Sequence, residues 1–430
     1  HTFFNDKGFH NHCSHHLLAA YSLGAPPALL QDILELHRET ASVSDAVPSI
    51  RGIINESNWT EYLGDERYYP NYLAFFHRLI STPPASSSPY ADKPTSVVPV
   101  VEQYLFGGEG QMLVRAVSGA LHPLIHIGHG IEFGLDGHVA EGLAQCAVHD
   151  PRTTGLPYFH SMTIASPDRS FARTAANLPR QPGSRRYPRE GLSGFTILSR
   201  ILQDEALAPG QANSLDDASK LDACVRNRAS RIRQWCEEWR FSTEERIDMA
   251  APPWDEIVEK CEELVWMATV IYAAAARPGY QNVKLDFFTM HGLTSVLFLP
   301  SMLEVLSPHL RPYLLMSHFR LVVAYWVSRG RPDLKEDANA ADGGEDPYTN
   351  PWLKVLQSAI DHDDEHVTKV VRSLYWAATQ FGASPRGMFT SSLPGSEDMD
   401  GTIFIRGELG RPTILFSFFF PRETRLITRG

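Results

Sequence analysis

The sequence predicts an all-α fold: a single large multi-helix domain over residues 1–430, with a small β-hairpin near its C-terminal end. Three observations predict it. Apolar residues recur at helical spacing in segment after segment, strand signals are confined to the C-terminal end, and no strand with a Gly-rich turn into a helix occurs.

The elements follow in order. SHHLLAAYSLG carries apolar residues along a helical stripe and stops at Gly24. Pro26 and Pro27 suit the first turn of the next helix, PALLQDILELHRET. NYLAFFHRLIS, from Asn71, is an apolar-rich helix. Ser118–Phe133 (SGALHPLIHIGHGIEF) is apolar nearly all round, so it is expected deep in the core, with Pro123 starting or kinking it. PWDEIVEKCEELVWMATVIYAAAARPG is the longest helical pattern and stops at Gly279. KLDFFTMHGLTSVLFLPSML and RPYLLMSHFRLVVAYWVSRG are two more, and DDEHVTKVVRSLYWAATQFG is the last. In GTIFIRGELGRPTILFSFFF two apolar runs flank Gly407, Gly410 and Pro412, the pattern of a hairpin. Thr82–Ser96, Pro179–Gly191 and Lys335–Pro351 read as surface connections, not as boundaries between independent domains.

Composition excludes several functions. The net charge of −11, from 39 Lys and Arg against 50 Asp and Glu, argues against a nucleic-acid partner, which needs a basic surface. The five cysteines are widely spaced and form no CxxC, so reduced thiols and a cytoplasmic location are expected. No apolar run of ~18 residues occurs, so no membrane span is expected. The chain begins at His1 with residues that read as domain interior, and its native start is expected upstream. HExxH, GxSxG and the P-loop are absent, and the glycines at 128, 130 and 134 do not have dinucleotide-fingerprint spacing.

The 18 histidines stand out. Histidine is the commonest metal ligand. His10, His12, His15 and His16 cluster in GFHNHCSHHLL, where His12 and His16 share a helical face. His122, His126 and His129 lie along one stripe of an apolar helix. A buried imidazole left without partners costs about 1–3 kcal/mol per unmet group, so the stripe points to a shared ligand. The ordinary alternative is that each histidine caps a carbonyl. His291 stands in a very apolar helix with Lys284 seven residues before it. His366 and Lys369 share a face where the last helix turns apolar; a lysine there needs a charged partner or must snorkel to solvent.

FFNDKGFHNHCSHHLLAAYSLGAP, HPLIHIGHGIEF, LDFFTMHGLTSVLFLPSML and DDEHVTKVVRSLYWA resemble the questin oxidase-like proteins of filamentous fungi, in the same order over most of the chain. The resemblance implies an oxidoreductase of aromatic polyketide biosynthesis. Its reaction is the Baeyer–Villiger-like opening of a hydroxyanthraquinone ring to a benzophenone-type product. It implies nonheme Fe(II) held by histidines and a carboxylated lysine, with O2 as co-substrate and NADPH in some members. The positions matching family motifs are His12, His122, His126, His291, His366 and Lys369 as metal ligands. His16 competes with His12, and Lys284 and Lys335 with Lys369. His129 and His16 are the candidates for acid–base work. Phe287, Phe288, Trp326, Tyr375 and Trp376 are candidate walls for a flat substrate. The competing readings are a metal-free NADPH-dependent monooxygenase on the same substrate class, a two-metal hydrolase using a carboxylated lysine, and a non-catalytic pigment-binding protein. The oligomeric state is left open.

Overall fold

The computed structural model describes residues 10–40, 52–87, 96–153, 191–214, 219–241, 251–274, 286–334, 350–362 and 364–405, with single positions at 91, 155, 156 and 216. Its helices are α1 (Cys13–Ser22), α2 (Pro27–Thr40), α3 (Tyr69–Ser81), α4 (Val97–Leu105), α5 (Gln111–Ala116), α6 (His122–Phe133), α7 (Asp136–Val148) and α8 (Gly194–Gln203). They continue as α9 (Lys220–Cys236), α10 (Trp254–Ala274), α11 (Phe287–Val296), α12 (Leu299–Val305), α13 (Arg311–Ser328), α14 (Trp352–Ile360) and α15 (Glu365–Phe381). Among the described residues there is no strand.

The expected hairpin is corrected in its first half. Residues 403–405 are helical, with Ile403 and Phe404 buried. The two apolar side chains are consecutive, and a helical turn buries both where a strand would send one outward. The second half lies outside the described residues. The segment expected as one helix from Lys284 divides into α11 and α12. Pro300 lies in the first turn of α12. A proline there has no N–H for residue 296 to accept and its ring crowds that carbonyl, so the helix restarts. Pro123 likewise begins α6 rather than kinking it.

Two layers matter for the site. α6 packs along α7, which packs on α3; α11 is held between α10, α13 and α15; α1 lies on α15. The α6–α7 crossing is close because glycine lines it. A Cβ on Gly142 would sit 2.6 Å from the Ile127 side chain and 2.8 Å from its backbone nitrogen, and one on Gly130 would sit 2.8 Å from the Val139 nitrogen. One contiguous core runs through α3, α6, α7, α10, α11, α13 and α15, with Trp239, Trp266 and Trp326 fully buried, while Ala20 of α1 packs in a smaller cluster with Ala25 and Ile33. Side-chain caps fix two of the helices that carry site residues. Asp286 accepts from the Phe288 and Thr289 amides at the start of α11, and Asp364 accepts from the His366 amide at the start of α15. No helix among the described residues is long and apolar enough to cross a membrane.

Candidate metal centre

Four histidines from four separate chain segments meet between α1, α6, α11 and α15. His12 is the N-cap of α1, His122 opens α6, His291 lies in α11, and His366 lies in the first turn of α15. All four are buried. The Nε2 atoms of His12 and His122 are 2.6 Å apart, and those of His122 and His291 are 3.2 Å apart. One nitrogen each of His12, His291 and His366 falls within 4.8 Å of the others.

The other ring nitrogens decide the chemistry. His122 Nδ1 lies 2.6 Å from the Gly119 carbonyl, and His291 Nδ1 lies 2.7 Å from the Phe287 carbonyl. His12 Nδ1 lies 3.0 Å from Glu365 Oε1, and His366 Nδ1 lies 2.8 Å from Asp364 Oδ1. Carbonyls and carboxylates only accept, so every Nδ1 carries the proton and every neutral ring has an unprotonated Nε2. Lone pairs 2.6 Å apart repel unless a proton or a metal cation lies between them. Protonation is opposed: burial pushes His12 down to about 3, helped by Lys369, and pushes His122 and His291 well below the ordinary value. A metal site requires this arrangement, neutral imidazoles with the distal N–H held by carbonyl or carboxylate.

Local backbone builds the nest. Gly119, Ala120 and Leu121 all have positive φ, at 54°, 53° and 64°. That left-handed turn costs the two non-glycine residues about 1–3 kcal/mol each. It brings the Gly119 carbonyl back onto the His122 ring. A Cβ on Gly119 would lie 2.4 Å from the His149 imidazole, so any side chain there would have to push that ring aside.

Lys369, one turn beyond His366, is buried and lines a narrow cavity together with His15, His122, His129, His291 and Arg372. Burial lowers its ammonium to about 8, while Glu365 and Asp364 oppose the shift. About a tenth of the amine is then neutral near pH 7, far more than for a solvent-exposed lysine, and carboxylation needs the neutral amine. Lys284 and Lys335 lie outside the described residues.

The remaining expected residues stand apart from the four-histidine nest. His126 turns towards α7: its Nε2 lies 2.9 Å from Glu141 Oε2, and its Nδ1 lies 2.9 Å from His15 Nε2. With His138 and Glu141 it forms a second group at metal-ligand spacing. His16 faces His37 at 3.1 Å and Thr368 at 3.3 Å, and does not line the cavity. His129 lines the cavity with both nitrogens engaged. Its Nδ1 donates to the Ile125 carbonyl, and its Nε2 accepts from Arg372, itself clamped by Glu132 at 2.6 Å to each oxygen.

Of the expected aromatic walls, Phe287 touches the nest, 4.2 Å from the His291 ring. Phe288 packs on Tyr325, Tyr375 on Trp352 and Trp376 on Phe381, while Trp326 donates to the Pro332 carbonyl. Phe298, not singled out from sequence, lines the cavity and lies 4.4 Å from His129. Asp364, Glu365 and Arg372 were also missed as site residues, and His15 was named only as a member of the N-terminal histidine cluster. Their one visible signal was proximity to the histidine and lysine motifs.

A family model for questin oxidase-like proteins matches residues 9–374. The chain belongs to the questin oxidase-like family. The chain is 30% identical over 387 residues to the Baeyer-Villiger oxidase ptaJ of Pestalotiopsis fici, covering 87% of this chain and 76% of that protein. It is 25% identical to the questin oxidase of Aspergillus fumigatus, covering 87% and 77%. It is 26% identical to the oxidoreductase AflY of Aspergillus parasiticus, covering 88% and 70%. As a questin oxidase-like protein the chain is an oxidoreductase, as the sequence resemblance implied.

Proposed function

We propose that this questin oxidase-like chain is a nonheme Fe(II) dioxygenase that cleaves a C–C bond of a hydroxyanthraquinone ring in fungal aromatic polyketide biosynthesis. The product is a ring-opened benzophenone type. The observation that carries the reading is the set of four histidines whose Nδ1 protons are all held by acceptors while their unprotonated nitrogens converge. The names of its relatives, Baeyer-Villiger oxidase and questin oxidase, support the reaction class.

His12, His122, His291 and His366 would hold the metal, and carboxylated Lys369 would add an anionic oxygen. Bound there, Fe(II) supplies the one-electron chemistry that lets O2 react with a closed-shell aromatic. The chain's own residues do the rest. Glu365 and Asp364 accept from Nδ1 of His12 and His366 and so orient the two rings. Burial excludes water, and Phe287 and Phe298 offer aromatic faces beside the nest. The cavity has room for one water-sized group, so the substrate rings lie outside it and a single substituent reaches in.

The test is metal analysis of protein purified without added iron, with turnover under O2 before and after chelation. About one iron per chain and loss of turnover on chelation is expected. Full turnover with no bound metal, or product strictly coupled to NADPH and indifferent to chelators, overturns the reading. Two metals per chain with no oxygen requirement would favour a hydrolase instead.

A further inference from the structure

A hydrogen-bonded chain outside the four-histidine nest ends at the cavity. Glu141 Oε2 lies 2.9 Å from His126 Nε2, and His126 Nδ1 lies 2.9 Å from His15 Nε2. The hydrogen bond from His126 holds the Glu141 carboxyl below its usual range against the opposing effect of burial. An ionised carboxylate only accepts, so His126 donates from Nε2, and in the neutral ring its Nδ1 is an acceptor. His15 must then donate from Nε2, which leaves its Nδ1 as a lone pair. That atom is buried and has no hydrogen-bond partner among the described residues. His15 itself is 2% exposed, lines the cavity and stacks on His129 at 4.8 Å. The His138 ring lies flat against His126 at 4.5 Å, which helps hold the middle of the chain in place.

We propose that Glu141, acting through His126, fixes His15 in the Nε2–H tautomer, so that His15 Nδ1 accepts the hydrogen bond of a phenolic hydroxyl on the aromatic substrate. The assignment rests on the aromatic-substrate reading above. Of the two sequence candidates for acid–base work, His129 already uses both nitrogens and His16 does not line the cavity; His15 keeps one nitrogen free of hydrogen bonds. An unmet buried acceptor is a standing cost that a hydroxyl donor relieves, and the cavity admits one group of hydroxyl size. His15 is the substrate-touching residue; His126 and Glu141 are positioning residues. The arrangement selects a free hydroxyl over hydrogen at that position of the ring.

The test uses the full chain labelled with 15N-histidine, with any bound metal replaced by diamagnetic Zn(II). The His15 signals are identified by difference against His15→Gln. The proton is expected on His15 Nε2 in the wild type, and on Nδ1 in a large fraction of Glu141→Leu molecules. The probes are 2-hydroxyanthraquinone and unsubstituted anthraquinone. The hydroxylated compound is expected to bind about tenfold more tightly to the wild type, to shift His15 Nδ1, and to lose most of its advantage in Glu141→Leu. A wild-type proton on Nδ1, or an advantage that persists in Glu141→Leu, overturns the proposal. Equal wild-type affinity for the two probes overturns the hydroxyl assignment alone. No binding of either probe overturns that assignment together with the aromatic-substrate reading. If Glu141→Leu does not fold, the wild-type tautomer and the wild-type preference still decide.

Discussion

His12 and His122 place their Nε2 atoms 2.6 Å apart although each ring has its own proton engaged elsewhere, on Glu365 and on the Gly119 carbonyl. Two lone pairs at that distance call for a cation. His122→Ala and His12→Ala are each expected to lower bound iron at least tenfold, measured by atomic absorption after gel filtration. His16→Ala, whose ring faces His37 and Thr368, is expected to keep it. Equal metal content in all three variants would remove the nest as the site.

Glu365 holds the His12 Nδ1 proton. Glu365→Gln keeps shape and an acceptor oxygen but loses the charge. A tenfold to hundredfold weaker metal affinity is expected, the usual effect of changing a ligand's hydrogen-bond partner. Competition with a chromophoric chelator reads it.

Burial lowers Lys369 from 10.5 to about 8. The unfolded chain therefore binds more protons between about pH 8 and 10.5, and the lysine's penalty on stability fades as pH rises through that window. Below about 8 the penalty is full, on the order of 3 kcal/mol. In metal-free protein in CO2-free buffer, Lys369→Met is expected to raise stability at pH 7 by up to that amount. The advantage should close by about pH 10.5. Urea unfolding at several pH values measures it, and a pH-independent difference would contradict the buried-amine account.

The left-handed turn before α6 leaves no room at Gly119, where an added Cβ meets the His149 ring at 2.4 Å. Gly119→Ala is expected to cost about 1–3 kcal/mol through strain alone. It should also weaken metal binding by moving the carbonyl that holds His122. Thermal melts with and without iron would separate the two effects, and an unchanged melt in both would refute the strain.

The helical class and the position of α6 in the core were legible, because periodicity reports which side of a helix is buried; it also marked the histidine clusters, but the choice of ligands among them came from the family resemblance. Periodicity does not report how far along the axis a ring reaches. His122 and His126 share a stripe, yet one helical turn separates them by about 6 Å. His122 sits at the helix start beside His12, while His126 meets Glu141 on α7. The acceptors that set each tautomer were out of reach for the same reason. Gly119 acts through a backbone turn with positive φ that helical spacing does not predict. Glu365 acts across 353 positions of chain. Acids at the start of α15 suit the helix dipole, and the fold gives Asp364 and Glu365 in addition the orientation of two imidazoles.

The four histidines of the nest run from position 12 to position 366. An ion gripped by all four is a clasp between the two ends of the described chain. It would tie α1, which rests chiefly on α2 and α15, to the centre of the molecule. Loading with iron should then protect the α1 segment from proteolysis far more than it protects α8 or α9. On the proposed iron reading, the ion that would equip the protein for chemistry would also be its fastener, and iron starvation would be felt first as a loosened α1.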